Sequence, residues 1–199
     1  MAICPTKAVR QVANLSNRSE TLNTLEFKPF YRRHLPHIQL PGATLFITFR
    51  LAGSIPAKVI QQLRAEARRG EGALTRIPDH QERTNRAYRE QRRLFGKWDT
   101  ALDTTQDGPS WLRDPRIADL VAESLHHRDG RVYDLDAFCV MPNHVHVVYI
   151  PLPKADGTYH AISAIMHSLK RYTARQSNLL LGREGSFLAT RELRPRSAR

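Results

Sequence analysis

The chain has 199 residues, enough for one principal core with an elaboration. Its 31 Lys and Arg against 19 Asp and Glu leave a net charge of +12, an excess that suits a polyanionic partner, nucleic acid first, or else a merely solvated basic surface. No apolar run reaches the roughly 20 residues needed to cross a bilayer, and the opening Met1-Ala-Ile-Cys-Pro-Thr-Lys lacks a secretory core, so a cytoplasmic protein with no membrane association is expected.

Residues 1–29 read as a poorly ordered arm, and no sustained period appears before about residue 40. Ala43-Thr-Leu-Phe-Ile-Thr-Phe-Arg-Leu51 is rich in β-branched and aromatic residues and predicts a first strand. Ser54 is placed to cap the helix after it, with Pro56 in the first turn and an end near Gly70. Residues 70–110 read as a basic helical insertion whose Tyr88, Phe95 and Trp98 make either a satellite core or base-stacking platforms. Asp114-Pro115 opens a helix with Ile117, Leu120, Val121, Ser124 and Leu125 on one face, closing at Asp129-Gly130. A strand over Val132–Val140, a turn at Pro142-Asn143 and a strand over Val145–Ile150 form an antiparallel hairpin. A last helix from about Thr158 to Gly182 turns Ile162, Ile165, Met166, Leu169, Tyr172 and Thr173 inward, and Lys170, Arg171 and Arg175 outward. This order predicts an α+β fold with a ferredoxin-like antiparallel sheet carrying helices on one face. Cys4 and Cys139 are too few and too far apart for a disulfide framework or a cysteine-based zinc site.

Within the hairpin, His144-Val145-His146 puts two imidazoles on the same face of an apolar strand, because side chains two apart in a strand point the same way. That is an arrangement one cation can bridge; the plainer alternative is a half-exposed strand with two polar residues. Asp134 and Asp136 share a face of the preceding strand and either approach the same ion or are simply exposed.

Four blocks occur in order: Leu35-Pro-His-Ile-Gln-Leu-Pro-Gly-Ala-Thr-Leu-Phe-Ile-Thr-Phe-Arg-Leu51; Trp111-Leu112 with Asp114-Pro-Arg-Ile-Ala118; Met141-Pro-Asn-His-Val-His146; and Ser168-Leu-Lys-Arg-Tyr-Thr-Ala-Arg175. Together they resemble the REP-associated tyrosine transposases, a branch of the single-tyrosine HUH transposases, over most of residues 30–187. The resemblance implies a bacterial, DNA-associated protein of DNA transposition, acting on single-stranded or hairpin DNA as a monomer or homodimer. It implies a tyrosine nucleophile and a Mg2+ or Mn2+ ion held by His144 and His146. A phenol with pKa near 10 attacks a phosphodiester poorly, so a Lewis acid is needed. Two imidazoles leave a six-coordinate ion short of ligands, and in the family a polar third ligand lies one turn from the tyrosine on a late helix. Arg50, Asn143, Lys170, Arg171 and Arg175 are the expected DNA contacts.

That late helix is missing. Tyr172 is the last tyrosine and matches a packing position of the family, so no catalytic residue is carried over. Where members resemble Phe-Trp-Gln-Arg-Glu-Ser-Tyr-Asp-His, this chain reads Phe187-Leu-Ala-Thr-Arg-Glu-Leu-Arg-Pro195. One synonymous choice of codons for the second string, read one base later, encodes the first. A frameshift or truncation after Phe187 is therefore expected, with 188–199 an aberrant tail, the last strand and helix lost, and cleavage impaired. The alternative is a non-catalytic DNA-binding or regulatory protein. A hydrolase of small phosphates would need a Gly-rich phosphate loop or a carboxylate cluster, and neither is evident in the sequence.

Overall fold

The structure, a computed structural model, describes residues 42–105 and 107–190. The expected N-terminal arm, Cys4, the first part of the Leu35–Leu51 block and residues 191–199 lie outside the described residues. In chain order the elements are β1 (Leu45–Arg50), α1 (Ala57–Leu74), α2 (His80–Thr104), a single 3-10 turn at Trp111–Arg113, α3 (Pro115–His126), β2 (Tyr133–Val140), β3 (His144–Pro151) and α4 (Ile162–Leu180). The strands form one antiparallel sheet in the order β1-β3-β2. A mixed fold built on an antiparallel sheet is thus what the strand and helix pattern predicted.

Alternation along the strands divides the sheet into two unlike faces. Ile47, Val147 and Phe138 are in register, as are Phe49, Val145 and Val140, and all are buried. Against this face pack Ile117, Val121 and Leu125 of α3 and Ile162, Ile165, Met166 and Leu169 of α4, which make one continuous apolar core. Side-chain burial on this scale, about 1.5–3 kcal/mol for each large aliphatic, is what offsets the ordering of the backbone. Tyr133 and Tyr149 stack with centroids 4.6 Å apart, and the Tyr133 hydroxyl donates to the Leu125 carbonyl at 2.7 Å, tying β2 to α3.

The second face carries Phe46, Thr48 and Arg50 of β1 and His144 and His146 of β3. It is covered by α2, whose Phe95 meets Phe46 edge-on at 5.6 Å. The α1–α2 hairpin therefore adds a helical layer on the side opposite α3 and α4. Glu66 of α1 holds Arg93 at 2.5 Å and Lys97 at 2.6 Å on α2. Such exposed pairs set the geometry of the hairpin more than its stability.

Local chemistry explains most helix boundaries. Asp114 accepts from the Arg116 amide at 3.0 Å and Pro115 occupies the first turn of α3. At the end of α4, Gly182 (φ +59°) donates to the Leu179 carbonyl and Arg183 to Asn178, a paired closure that needs a left-handed residue. Three expectations shift. Ser54 does not cap α1: the helix starts at Ala57 after Pro56, and the Ser54 hydroxyl accepts from Arg50 instead. α1 runs past Gly70 to Leu74. α4 starts at Ile162, because Lys154–Thr158 is taken up in a turn where the Lys154 amide donates to the Thr158 carbonyl at 2.6 Å.

Beyond α4, Leu188 bridges Leu51 antiparallel on the edge of β1 away from β3, with Ala52 N–H donating to Phe187 and Ala189 N–H to Arg50. Phe187 is buried and stacks on Trp111 at 5.4 Å. Residues 187–189 thus follow the course of a fourth strand beside β1.

Candidate metal centre

The two histidines reach one point by different supports. His144 is 1 % exposed, and its Nδ1 lies 2.6 Å from Asn143 Oδ1. Asn143 is itself held by donation from Nδ2 to the Leu102 carbonyl of α2 at 2.9 Å. His146 has Nδ1 2.8 Å from Thr48 Oγ1 on the neighbouring strand. An amide oxygen can only accept, so the His144 proton sits on Nδ1 and the Nε2 lone pair is free. Thr48 can hold His146 in the same tautomer. Both Nε2 atoms converge, 2.9 Å apart.

From α2, Asp99 Oδ1 stands 3.8 Å from His146 Nε2, and Asp103 Oδ1 stands 3.7 Å from His144 Nε2. One helical turn separates the two acids, so they share the face that Phe95 presses onto the sheet. Asp99, His144 and His146 each offer a ligand atom within 4.8 Å of the others. Asp99 Oδ1 is buried without a hydrogen-bond partner, an arrangement that costs free energy unless something positive meets it.

Charge in this pocket is strongly biased by its surroundings. Burial, reinforced by the neighbouring His146, pushes the His144 imidazole down to about 4. Burial lowers His146 as well, against the raising pull of Asp99 and Asp103. Burial raises the Asp99 carboxyl, with His146 opposing and Asp103 adding to the rise. The pocket therefore presents neutral imidazoles, the form a cation requires.

The donor set suits a divalent ion. Cis ligands on an ion with bonds of about 2.1 Å stand about 3 Å apart in octahedral geometry and about 3.4 Å in tetrahedral geometry. The imidazole pair already meets that spacing, and each carboxylate stands within about 1 Å of it from its nearer imidazole, at 3.8 Å for Asp99 and 3.7 Å for Asp103. Two imidazoles with carboxylate oxygens make a mixed nitrogen and oxygen donor set for such an ion.

Sequence reasoning placed His144, His146 and Asn143 here and missed Asp99, Asp103 and Thr48. The only signal for the acids was Asp-x-x-x-Asp spacing in an otherwise basic helix. Asp134 is exposed opposite Ile150, four residues along β3 from His146, and Asp136 is exposed at a bulge in β2, so neither approaches the pair. Arg50 lies in register with His144 on the same face and is 8 % exposed. Lys170, Arg171 and Arg175 are not brought to the centre, because α4 packs on the apolar face of the sheet. Lys170 Nζ donates to the Ala189 carbonyl at 2.8 Å, pinning the segment beside β1, while Arg171 and Arg175 are exposed. Tyr172 does not turn inward: it is 47 % exposed, with the Arg128 guanidinium 6.0 Å over its ring. It too is across the sheet from the histidines.

No protein-family model matches the chain, and no curated protein does. Among solved structures it is similar to a REP-associated tyrosine transposase bound to a REP hairpin, with 15 % identity and a TM-score of 0.37. The similarity covers 85 % of this chain, which spans 64 % of the length of that one. Among the described residues no helix is long and apolar enough to cross a membrane.

Proposed function

We propose that this chain is a transposase-like protein that binds single-stranded or hairpin DNA at a divalent-cation centre made by His144, His146 and Asp99, with Asp103 as a further oxygen donor. The single observation that carries the metal reading is the convergence of two hydrogen-bonded imidazoles, Nε2 to Nε2 at 2.9 Å, beside the unpartnered Asp99 oxygen. The DNA reading draws on the +12 charge and on the Met141–His146 motif with its companion blocks.

When bound, Mn2+ or Mg2+ would supply Lewis-acid polarisation of a phosphate oxygen. The protein's own residues hold the His144 imidazole in the metal-binding tautomer, leave His146 able to adopt it, keep both rings neutral, and set α2 over the site. Among the described residues, Tyr172 is across the sheet from the pair, and Tyr88 lies three helical turns before Asp99 on α2, about 16 Å along its axis. The chain is accordingly proposed to bind DNA with little or no tyrosine-linked cleavage. Arg171 and Arg175, exposed on the far side, are proposed as secondary phosphate contacts.

The test is a titration with Mn2+ followed by electron paramagnetic resonance, together with a nicking assay on hairpin DNA that looks for a covalent adduct. Wild type should bind one ion, His144→Ala and His146→Ala should not, and no adduct should form. An adduct abolished by Tyr172→Phe would overturn the assignment of catalytic silence; ion binding unaffected by either histidine change would overturn the centre itself.

A further inference from the structure

Among the described residues, the large hydrophobic side chains left exposed all lie on α4: Tyr172, Leu179 and Leu180. The same helix contains no acidic residue, while Lys170, Arg171 and Arg175 make it basic. Ser168, Arg171, Tyr172, Arg175 and Leu179 recur at spacings of three and four, so they share one stripe of the helix, and all of them are exposed. That stripe points away from Ile162, Ile165, Met166 and Leu169, which face the core.

Tyr172 is held in place on this stripe. Arg128, just past the end of α3, donates from Nη1 to the Ser124 carbonyl and hydroxyl, both at 2.7 Å, and from Nη2 to Ser168 Oγ at 3.0 Å. Its guanidinium, tied to α3 and α4 at once, lies 6.0 Å over the Tyr172 ring. Among the described residues no carboxylate pairs with Arg128, Arg171 or Arg175. A solvated helix face ordinarily mixes acids with bases; here an ordered aromatic ring stands among cations that no acid neutralises. Every base has a π-face to lay on such a ring, and every nucleotide brings the negative charge that its neighbours lack, which is the combination that single strands bind.

We propose that the outer face of α4 is a docking surface for single-stranded nucleic acid, on which Tyr172 stacks a base, Arg171 and Arg175 hold the flanking phosphates, and Arg128 backs the ring. It rests on the DNA reading above and deepens it. Because α4 covers the side of the sheet opposite His144 and His146, this surface takes a different stretch of the polynucleotide from the one at the cation centre and needs no ion.

The experiment is anisotropy of fluorescein-labelled oligothymidylate in EDTA, beside an abasic oligomer of the same length and charge, for wild type, Tyr172→Phe and Tyr172→Ala. Circular dichroism confirms that each variant is folded, and Tyr172 is exposed, so neither change opens the core. Stacking survives in Phe and is lost in Ala. Tyr172→Ala should therefore weaken oligothymidylate binding roughly fivefold or more and leave the abasic strand unchanged, while Tyr172→Phe should bind both strands as wild type does. A strand carrying 5-iodouracil, irradiated in the wild-type complex, should cross-link to the peptide that contains Tyr172. Wild-type binding that Tyr172→Ala matches on both strands would overturn the platform and leave the DNA reading standing. Tyr172-dependent binding to phosphatidylglycerol vesicles, with oligothymidylate binding independent of Tyr172, would overturn it in favour of a membrane surface. No binding of either strand by wild type would overturn the DNA reading, and the platform with it.

Discussion

Asn143 holds His144 from one side and α2 from the other: its Oδ1 lies 2.6 Å from His144 Nδ1 and its Nδ2 donates to the Leu102 carbonyl at 2.9 Å. The residue that ends the β2–β3 turn thus fixes both an imidazole tautomer and the seat of the helix carrying the two carboxylates.

Asn143→Ala removes both contacts at once. Loss of an outer partner of a ligating histidine typically costs 10–100-fold in metal affinity, and that drop is expected in a Mn2+ titration. Asn143→Asp keeps an acceptor for Nδ1 and loses the donor to Leu102, so it should fall between wild type and Ala.

Asp99→Asn should act in opposite directions with and without metal. In EDTA the change relieves a buried, unpartnered carboxylate whose protonation is already favoured by burial, and should raise the melting temperature by about 2–4 °C, on the order of 1 kcal/mol. With saturating Mn2+ the order should reverse, because the ion stabilises wild type more. Asp103→Asn, at a more exposed carboxylate, should show a smaller form of both effects.

Metal-free stability should fall on acidification. His144 is pushed down to about 4 in the fold, so the unfolded chain takes up the proton first, near pH 6.5. Stability is therefore full above about 6.5, declines as pH falls toward about 4 and levels below that, a loss of up to about 3 kcal/mol for this group. The lowered His146 adds in the same direction; Asp99, raised, works the other way below its folded value and blunts the bottom of the curve. Urea unfolding in EDTA between pH 4 and 7 measures this, and His144→Asn should flatten it.

Phe95→Ala detaches α2 from Phe46. A half-buried ring lost from such a contact costs about 2 kcal/mol, and Mn2+ affinity should fall with it because Asp99 is the next turn of the same face. Hydrogen exchange should show faster exchange along α2 in this variant, restored in part by added metal.

How far the sequence disclosed this arrangement follows from what periodicity encodes. The strand alternation around Val145 and Val147 and the helical spacing of Ile117, Val121 and Leu125 mark apolar faces that are buried as read. Periodicity states which side of an element is apolar; it does not state which sheet face the element reaches. α2 is strongly basic, interrupted by Gly96, and has only Gln91, Leu94 and Leu102 fully buried, so nothing marked Asp99 and Asp103 as inward. Its placement depends on Phe95 meeting Phe46 and on Asn143 meeting Leu102, contacts between residues about 40 or more apart. Arg50 was readable as basic and near the histidines, but not as buried, because its partner Ser54 had a simpler use as a helix cap. Tyr172 fell at the margin of the α4 apolar stripe, and Arg128 holds it on the outside.

Because α2 lies over the imidazole-bearing side of the sheet and contributes the oxygen donors, an ion there would rivet the α1–α2 hairpin to β3. The strength of that rivet depends on supply: each tenfold rise in free ion above its dissociation constant adds about 1.4 kcal/mol to the fastened arrangement and none to the unfastened one. Cation concentration then governs how firmly the α1–α2 hairpin is held against the sheet.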